Sequence, residues 1–333
     1  MLAATVATAL GALASEPASA QDAEFYKGKT LTIVVGYSAG GGYDLYSRVL
    51  ARHMGRYIAG SPTVLVQNMP GAASLTSVRY LAASAPRDGT VMTMFDPGLI
   101  LESLTSPEKI NTKFSDYPWI GSMSREVPIC YAWGTTGVKT WDDLMKRKEF
   151  IIGLTAKGSN AYVNGVTLRK VFNAPVRQIP GYPGSTEQRM AVERGELDGN
   201  CASWSAVPQD WIINRKIIPL VRFSTKLPSD MPAATPYVID LAATQEQKDL
   251  LEVLDAPADL GRPFIMAPQV PRDRIEILRR ALEATLQDAA FLADAQKQSL
   301  PIETVRGDEA EQIVRTMYAA SPMLVRKVKE VID

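Results

Sequence analysis

The chain repeats one local pattern, in which a short apolar run is followed by a glycine-containing loop and then by helical spacing of apolar residues. The first copy combines the run 31–35 (LTIVV), the loop 36–42 and a helical pattern that extends to Tyr57. Further copies begin at 64–66, 150–154 and 176–180, and further predicted strands follow them at 91–95 and 197–201. Alternating strands and helices predict a parallel sheet covered by helices, so we expect an α/β protein with two similar halves.

The pattern breaks after about residue 225, where proline becomes frequent. The segment 261–268 (GRPFIMAP) then indicates an extended crossing segment. Helical spacing resumes over 275–286, over about 308–318 and in a short stretch near 325–331. The last third of the chain therefore predicts one crossing followed by helices.

The composition excludes several classes of function. The 333 residues are 46% hydrophobic, which supplies cores for two domains of ordinary size. The chain has 36 basic and 36 acidic side chains, so it lacks the basic excess that nucleic acid or an anionic membrane requires of a partner. One histidine, and two cysteines without C-x-x-C spacing, are too few for most zinc or haem sites. We therefore expect no metal, no cofactor and no nucleic acid.

Residues 1–20 predict a signal peptide that is removed on export. The stretch is rich in alanine, carries only Glu16 as a charge and ends in Ala18-Ser19-Ala20, a small-x-small cleavage pattern. Its apolar part, 2–13, is too short to span a bilayer, so we expect no membrane anchor. The alternative interpretation is an N-terminal extension of the folded chain.

Two cysteines, Cys130 and Cys201, lie in apolar segments far apart in the sequence. Export would place them in an oxidising compartment, where a disulfide persists. The alternative is a pair of buried thiols that act as small hydrophobic side chains. The residues alone leave both interpretations open.

The segment 36–44 (GYSAGGGYD) joins the first predicted strand to the first predicted helix. Backbone N–H groups and the helix dipole favour an anion at such a junction. The segment lacks both the lysine of a Walker loop and the G-x-G-x-x-G spacing of a dinucleotide site, so a carboxylate is the more natural anion. Loops at 71–73, 158–160 and 184–186 follow later strands in the same way. We expect the four loops to converge on one crevice; the alternative is tight turns without a ligand.

The same segment matches the nucleophile elbow G-x-S-x-G at 36–40. Its serine, Ser38, would need a histidine base from a later part of the chain. The single histidine, His53, lies in the helix that begins at the loop, where helical rise carries it roughly 12 Å or more from Ser38. An exported serine hydrolase is therefore the rival hypothesis, and Ser38 is better interpreted as an anion-contacting hydroxyl or a turn residue.

Four motifs together resemble a known family. They are GGGYD at 40–44, NMPGA at 68–72, DGT at 88–90 and GELDG at 195–199. Their order and spacing are similar to those of the tripartite tricarboxylate transporter substrate-binding proteins, also called the Bug family. The resemblance covers essentially the whole mature chain.

The resemblance implies the α/β fold of a type II periplasmic binding protein, with two lobes joined by extended hinge strands. Lobe 1 would comprise 21–122 and 226–333, and lobe 2 would comprise 123–225. The implied function is to capture a small organic carboxylate between the lobes in the periplasm and to deliver it, without catalysis, to the integral-membrane permease subunits of a tripartite transporter. A sensor kinase ectodomain is the alternative partner. We expect a monomer.

In the family, backbone N–H groups of the first loop hold one ligand carboxylate, and loops of the second lobe complete the site. The residues that we expect at the ligand are Tyr37, Ser38, Ala39, Gly40, Gly41, Gly42, Asp44, Gly71, Ala72, Asp96, Gly158, Ser159, Asn160, Tyr182, Gly184, Ser185, Ser203 and Trp204. The resemblance also favours a disulfide between Cys130 and Cys201.

Several of these positions have a second interpretation. Asp96 could cap a helix, Asp44 could cap the first helix, and Trp204 could be a core residue. Arg125 and Arg262 flank the predicted crossings, where either could pair with a ligand carboxylate or form a salt bridge within the protein. The chain also departs from the commonest family pattern at Asp96, where serine or threonine is usual, so the identity of the ligand does not follow from the resemblance.

Overall fold

The computed structural model describes residues 25–333, so the predicted signal peptide at 1–20 lies outside the described residues. Its strands are β1 (Thr30–Val35), β2 (Thr63–Asn68), β3 (Val91–Met94), β4 (Trp119–Ser122), β5 (Pro128–Trp133), β6 (Phe150–Gly153), β7 (Val176–Ile179), β8 (Gly199–Ser203), β9 (Ile217–Arg222), β10 (Pro263–Met266) and β11 (Val305–Arg306). Its α-helices are α1 (Gly42–Met54), α2 (Leu75–Ala83), α3 (Gly98–Thr105), α4 (Pro107–Ile110), α5 (Trp141–Met145), α6 (Asn160–Phe172), α7 (Ser185–Glu193), α8 (Gln209–Ile213), α9 (Gln245–Asp255), α10 (Arg272–Gln287), α11 (Ala289–Lys297), α12 (Gly307–Tyr318) and α13 (Pro322–Ile332). Over residues 25–333, no helix has the length and apolar character needed to cross a bilayer.

Six strands form the first sheet, in the order β11-β4-β10-β3-β1-β2. β1 pairs in parallel with β2 and with β3, as the repeated strand-loop-helix pattern predicts. β10 lies between β3 and β4 and is antiparallel to both. The chain enters β10 after α9, on its return from the second sheet, and not by a crossover from a neighbouring strand of the first sheet, which is the connection that parallel pairing requires. The prediction of a parallel sheet is therefore wrong for the half of the sheet that contains β10, β4 and β11, and the sheet is mixed.

Five strands form the second sheet, in the order β7-β6-β8-β5-β9. β6 is parallel to β7 and β8, whereas β5 is antiparallel to β8 and β9. Successive residues of β5 face opposite hydrophobic cores, with Ile129 and Tyr131 in one and Cys130 and Ala132 in the other. The second sheet is thus covered on both faces. The two sheets form the two lobes that the resemblance implied, and the exact lobe boundaries, near 122 and 226, stay a prediction.

Two segments connect the lobes and run beside each other. One is extended and leads from β4 to β5. The other passes through a short 3₁₀ helix, Ala256–Leu260, and enters β10 in the stretch 261–268 that was predicted to cross. Backbone hydrogen bonds join them, from Glu126 N to Ala258 O at 2.8 Å and from Gly261 N to Ser124 O at 3.0 Å. A Cβ atom at Gly261 would lie 2.9 Å from Glu126 N, so glycine permits this close approach. These paired segments form the hinge.

The last helix, α13, packs against helices of both lobes. It contacts α3, which follows the first sheet's β3, and α6, which follows the second sheet's β6. The Tyr162 hydroxyl on α6 donates to Ile332 O at 2.6 Å, and Lys157 Nζ lies 2.6 Å from Asp333 Oδ1. The C-terminal helix therefore ties the start of α6 to the first lobe.

A disulfide joins Cys130 on β5 to Cys201 on β8. The two residues stand directly opposite each other in the antiparallel pair. Both are buried. The bridge therefore fixes the register of the two central strands of the second sheet, and Cys201 also reaches the space between the lobes.

Candidate functional site

A narrow cleft of about 70 Å³ lies between the lobes, at loops that follow β1, β3, β6 and β8. Its position agrees with the rule that ligands of α/β sheets bind beyond the carboxyl ends of the strands. Its walls are formed by Tyr37, Gly41, Gly42, Tyr43, Asp96, Thr155, Ser159, Asn160, Ala161, Ser185, Gln188, Cys201, Ala202, Ser203, Ala206 and Arg262.

The glycine loop brings the start of α1 to the cleft. Gly40 has φ of +77°, in the left-handed region that favours glycine. Gly41 precedes the first helical residue, and no side chain caps the helix there. A Cβ atom at Gly42 would lie 3.1 Å from Arg262 Nη2 and 3.2 Å from Ala206 Cβ. Gly41, Gly42 and Tyr43 line the cleft, so the N-terminus of α1 lies at its wall, where a helix dipole favours an anion.

Asp44 does not face the cleft but holds the glycine loop in place. Its buried carboxylate accepts hydrogen bonds from Gly40 N at 2.8 Å, from Arg48 Nε at 2.9 Å and from Asn68 Nδ2 at 2.9 Å. Burial opposes ionisation, but the hydrogen bonds from Arg48, Gly40 and Asn68 outweigh it and hold the pKa of Asp44 below its usual value. Asp44 is therefore a structural anion of the loop.

Asp96 follows β3, and its buried carboxylate joins the two lobes. Within the first lobe it accepts hydrogen bonds from the Tyr37 hydroxyl at 2.6 Å and from Gly98 N at 2.9 Å. From the second lobe it accepts the Asn160 N–H, at 3.2 and 3.1 Å from its two oxygens. Burial raises the pKa of Asp96, although these hydrogen bonds oppose the rise. Backbone N–H groups only donate, so the contacts fit the ionised carboxylate. Asp96 both lines the cleft and bonds the start of α3.

Arg262 lies at the hinge end of the cleft and is 1% exposed. Its Nη2 is 3.4 Å from Glu126 Oε1 and donates to Ser205 Oγ at 3.1 Å. The guanidinium also lies over two aromatic rings of α1, 4.5 Å from the centroid of Tyr43 and 5.0 Å from that of Tyr46. Burial lowers the pKa of Arg262, but Glu126 and the other neighbouring groups raise it above its usual value. Arg262 is thus a buried cation held by both lobes and the hinge.

Two polar atoms of the cleft walls are buried and have no hydrogen-bond partner within residues 25–333: Arg262 Nε and Thr155 Oγ1. Arg262 belongs to the hinge and Thr155 follows β6 of the second lobe. The Tyr37 hydroxyl, which is close to Thr155, donates to Asp96. A buried polar atom left unpaired costs about 1–3 kcal/mol. Both residues therefore belong to the cleft walls and have polar atoms that the protein leaves without a partner.

Direct hydrogen bonds hold the lobes together at the rim of the cleft. Ser38 Oγ donates to Glu187 Oε2 at 2.9 Å, and Arg189 Nη2 donates to Gly40 O at 3.3 Å. Glu187 and Arg189 both belong to α7 of the second lobe. The structure therefore shows the lobes closed on each other.

Gly98 is the closest approach between the lobes on the side of Asp96. A Cβ atom at this position would lie 2.8 Å from Gly158 O and 3.0 Å from Asn160 N. Both contacts are with backbone atoms of the second lobe, which cannot move away as a flexible side chain can. Glycine at the start of α3 therefore permits the lobes to close.

The structure brings eight of the predicted ligand residues to the cleft walls, namely Tyr37, Gly41, Gly42, Asp96, Ser159, Asn160, Ser185 and Ser203. Four others lie at the contact between the lobes rather than in the cleft, namely Ser38, Ala39, Gly40 and Gly184. Gly158 meets α3, and Tyr182 packs over Gly153 of β6.

Four predicted residues are placed elsewhere. Gly71 and Ala72 lie in an exposed loop after β2, and neither lines the cleft. Asp44 anchors the glycine loop. Trp204 lines a larger open groove on the hinge side, and its Nε1 donates to Asp230 Oδ1 at 2.8 Å. The strand-end rule gives the edge of the sheet at which these residues lie, but not the direction of each side chain.

Some cleft residues were not predicted, although their positions in the sequence could have indicated them. Thr155 lies in the same strand-end loop as Ser159, so the rule that selected Ser159 also covers Thr155. Gln188 lies three residues after Ser185 on α7, which places both on one helix face. Tyr43 lies inside the glycine motif itself. Arg262 was weighed as a carboxylate partner, and its burial could not be read from the sequence.

The residues of the rival hydrolase hypothesis do not meet. Ser38 Oγ donates to Glu187, whereas His53 Nε2 lies 2.9 Å from Asp294 Oδ2 and His53 Nδ1 lies 2.6 Å from Arg56 Nη2. His53 is on α1, as predicted, and its ring packs on Phe291. The closed cleft thus gives Ser38 no imidazole base.

Comparisons with known proteins agree with this architecture. No protein-family model matches the chain. The UPF0065 protein in gbd 5'region of Cupriavidus necator is 40% identical over 80 residues, which is 24% of this chain and 24% of that protein. The match therefore spans about a quarter of that relative's length.

Solved structures match over nearly the full length of both chains. The periplasmic binding protein BugD has a TM-score of 0.74 at 18% identity and covers 92% of this chain and 98% of its own. A protein of R. palustris solved with adipate has a TM-score of 0.71 at 16% identity, covering 91% and 97%. MatC of Rhodopseudomonas palustris, solved with bound malate, has a TM-score of 0.69 at 14% identity, covering 92% and 99%.

These likenesses give the chain the fold of a two-lobed periplasmic binding protein. Within that class, it is similar to the Bug solute-binding proteins. The resemblance that the sequence motifs indicated is therefore confirmed.

The role of Asp44 gives a testable prediction. Replacing it by Asn removes the ion pair with Arg48 and places an amide against Gly40 N, so we expect Asp44→Asn to lower the free energy of unfolding by about 1–3 kcal/mol at pH 7. Because the pKa of Asp44 is lowered in the folded state, its contribution is present above pH 4 and disappears as the pH falls through that lowered value. Urea unfolding at pH 7 and pH 3 measures both effects.

The exposed Asp142 supplies the control, since Asp142→Asn removes the same charge without breaking a loop contact. The interpretation fails if the two variants are equally stable at pH 7. It also fails if the deficit of Asp44→Asn stays constant as the pH falls.

Proposed function

We propose that this protein is a periplasmic solute-binding protein that captures a small organic carboxylate between its lobes. The observation that carries the proposal is the pair of unpartnered atoms in the cleft, Arg262 Nε and Thr155 Oγ1. A carboxylate is the small group best suited to satisfy them, because it offers several acceptor lone pairs and a charge that matches the guanidinium. The free N–H groups at the start of α1 add donors from the first lobe.

Capture couples to closure because the donors come from both lobes. In an open arrangement water reaches Thr155 and Arg262 separately, whereas a ligand between them completes the hydrogen bonds only when the lobes meet. The contact of Ser38 with Glu187 then locks the rim. Ligand binding would therefore shift the population toward the closed form.

Delivery of the ligand is the second part of the proposal. We infer that the mature protein works in the periplasm and hands the acid to the permease subunits of a tripartite tricarboxylate-type transporter. The motifs at 40–44 and 195–199, the predicted export signal at 1–20 and the likeness in fold to BugD support this assignment. The protein performs no catalysis in this proposal, because it binds and releases the acid unchanged.

Replacing Thr155 tests capture directly. Valine keeps the shape of the side chain and removes the hydroxyl, so we expect Thr155→Val to weaken acid binding about 3- to 10-fold, the value of one hydrogen bond. Thr167 is the matched control, because its buried Oγ1 is also unpartnered but it lies on α6 away from the cleft walls. Titration calorimetry of the parent with benzoate, pentanoate, succinate and citrate identifies the acid that binds most tightly. The dissociation constants of that acid are then measured for both variants.

Two results would contradict the proposal. If none of the four acids raises the melting temperature of the parent protein, it does not bind an organic carboxylate. If Thr167→Val weakens binding as much as Thr155→Val, the cleft is not where the acid binds.

The coupling of capture to closure is tested at Gly98. Alanine forms helices better than glycine, so Gly98→Ala should not destabilise the separate lobes. Its methyl group would meet Gly158 O, so we expect the variant to remain open when acid is added and to bind it at least tenfold more weakly. Small-angle X-ray scattering with and without acid measures the radius of gyration.

Gly137 is the complementary control. It lies in an exposed turn with φ of +77°, and a Cβ atom added there would meet no other atom within 4 Å, so Gly137→Ala should cost about 1 kcal/mol of stability and leave acid binding unchanged. An acid-induced decrease in radius for Gly98→Ala equal to that of the parent would refute the role of this contact.

A further inference from the structure

The carboxylate of Asp96 occupies the start of helix α6. Asn160 is the first residue of this 13-residue helix, and its N–H points at both oxygens of Asp96. The N-terminus of a helix is a favourable place for an anion, since unpaired N–H groups and the helix dipole meet there. In this chain a side chain of the opposite lobe already supplies that anion.

We propose that Asp96 acts as a built-in second carboxylate and that the cleft therefore selects acids with one carboxylate and an apolar body. This inference rests on the proposed function, because it specifies which organic acid the same cleft takes. A ligand with two carboxylates would need a second anion position, and the position at α6 is filled.

The charges of the cleft support this selectivity. Among the residues of its walls, Arg262 is the cation and Asp96 is the anion. Arg262 is already paired with the buried Glu126, whose carboxylate also accepts hydrogen bonds from Ser124 and Ser205. A single ligand carboxylate can share the open Nε of Arg262, but a second one would lie near Asp96 without a cation to balance it.

Arg189, at the rim, does not supply a second cation to the cleft. Its guanidinium donates to Gly40 O at 3.3 Å and to Ala206 O at 3.2 Å, so it connects the lobes there. It is not part of the cleft wall. A second ligand carboxylate inside the cleft would not reach it without breaking those contacts.

Two polar groups that the second lobe presents to the cleft are engaged within the protein. Ser159 Oγ accepts from Tyr162 N and donates to Ala156 O. Gln188 Oε1 accepts from Asn200 Nδ2 at 2.8 Å. The other polar wall residues on this side, Ser185, Ser203 and the amide of Asn160, are uncharged. They could donate hydrogen bonds to a ligand, but none of them supplies the positive charge that a second carboxylate would need.

A large part of the wall is apolar. The rings of Tyr37 and Tyr43 stack with centroids 4.8 Å apart, and the Tyr37 hydroxyl donates its hydrogen bond to Asp96. Opposite surfaces carry the methyl groups of Ala161, Ala202 and Ala206. An apolar body would replace water along these surfaces at a gain of free energy, whereas a second polar end would not.

Selectivity for one carboxylate distinguishes this chain from structural neighbours solved with adipate and with malate, which are dicarboxylic acids. The feature that carries the distinction is the residue at 96. Substituting serine there would remove the carboxylate and free Asn160 N, while a serine hydroxyl could still accept a hydrogen bond at the start of α3.

Titration calorimetry of the parent and of Asp96→Ser with benzoate, pentanoate, succinate and citrate tests the inference. For the parent we expect benzoate or pentanoate to bind at least tenfold more tightly than succinate and citrate. For Asp96→Ser we expect the ratio to shift toward succinate by tenfold or more, because the start of α6 becomes available. Asp116→Ser removes an exposed acidic residue of the first lobe and should leave the parent's ratio unchanged.

Several results would overturn the inference, and they differ from those that overturn the proposed function. Tighter binding of succinate or citrate than of both monocarboxylates to the parent would refute it while leaving carboxylate capture intact. So would an Asp96→Ser ratio within twofold of the parent's, provided circular dichroism shows that the variant is folded. Failure of all four acids to bind the parent would refute both.

Discussion

The buried guanidinium of Arg262 is the interaction on which the geometry of the cleft depends. A charge that is 1% exposed must be paired and hydrogen-bonded. Its partners come from three parts of the chain: Glu126 from the hinge, Tyr43 from the glycine loop's helix and Ser205 from the second lobe. The contacts that pair and hydrogen-bond Arg262 therefore fix how the hinge, the first loop and the second lobe meet. The remaining Nε–H has no hydrogen-bond partner within residues 25–333.

Asp96 is the second fixed charge, and its role differs from that of Arg262. The Arg262 Nε–H has no hydrogen-bond acceptor within residues 25–333, whereas the Asp96 carboxylate accepts hydrogen bonds from Tyr37, Gly98 and Asn160. In the proposed function, Arg262 attracts an acid and Asp96 limits how many acid groups can enter. Because the two charges are contributed by the fold and held in closed contact, recognition needs little rearrangement of side chains.

The fold was predictable from the sequence where local signals repeat. The strand-loop-helix units around β1, β2, β6 and β7 follow from apolar runs and glycine loops. β9 was missed because no glycine loop follows it. β5 was missed because it is apolar at nearly every position rather than alternating. The antiparallel insertion of β10 depends on the path of the chain back from the second lobe, which no local pattern contains.

The candidate site was predictable as a set of loops but not as a set of side chains. Strand-end position selected Gly41, Gly42, Ser159 and Ser185 correctly for the cleft walls. It also selected Gly71 and Ala72, because the rule gives the edge of the sheet and not the distance from the second lobe. Arg262 reaches the cleft only through the tertiary pairing of the two hinge segments, so its burial and its open Nε could not be read from the sequence.

The most direct test of this account is a crystal structure of the protein with bound 4-bromobenzoate, in which anomalous scattering locates the bromine and the electron density locates the carboxylate. The account predicts the carboxylate within hydrogen-bonding distance of Arg262 Nε, the bromine among the alanine methyl groups of the second lobe and Asp96 still bonded to Asn160 N. A carboxylate bound at the start of α6 with Asp96 displaced, or an acid bound outside the cleft, would contradict it.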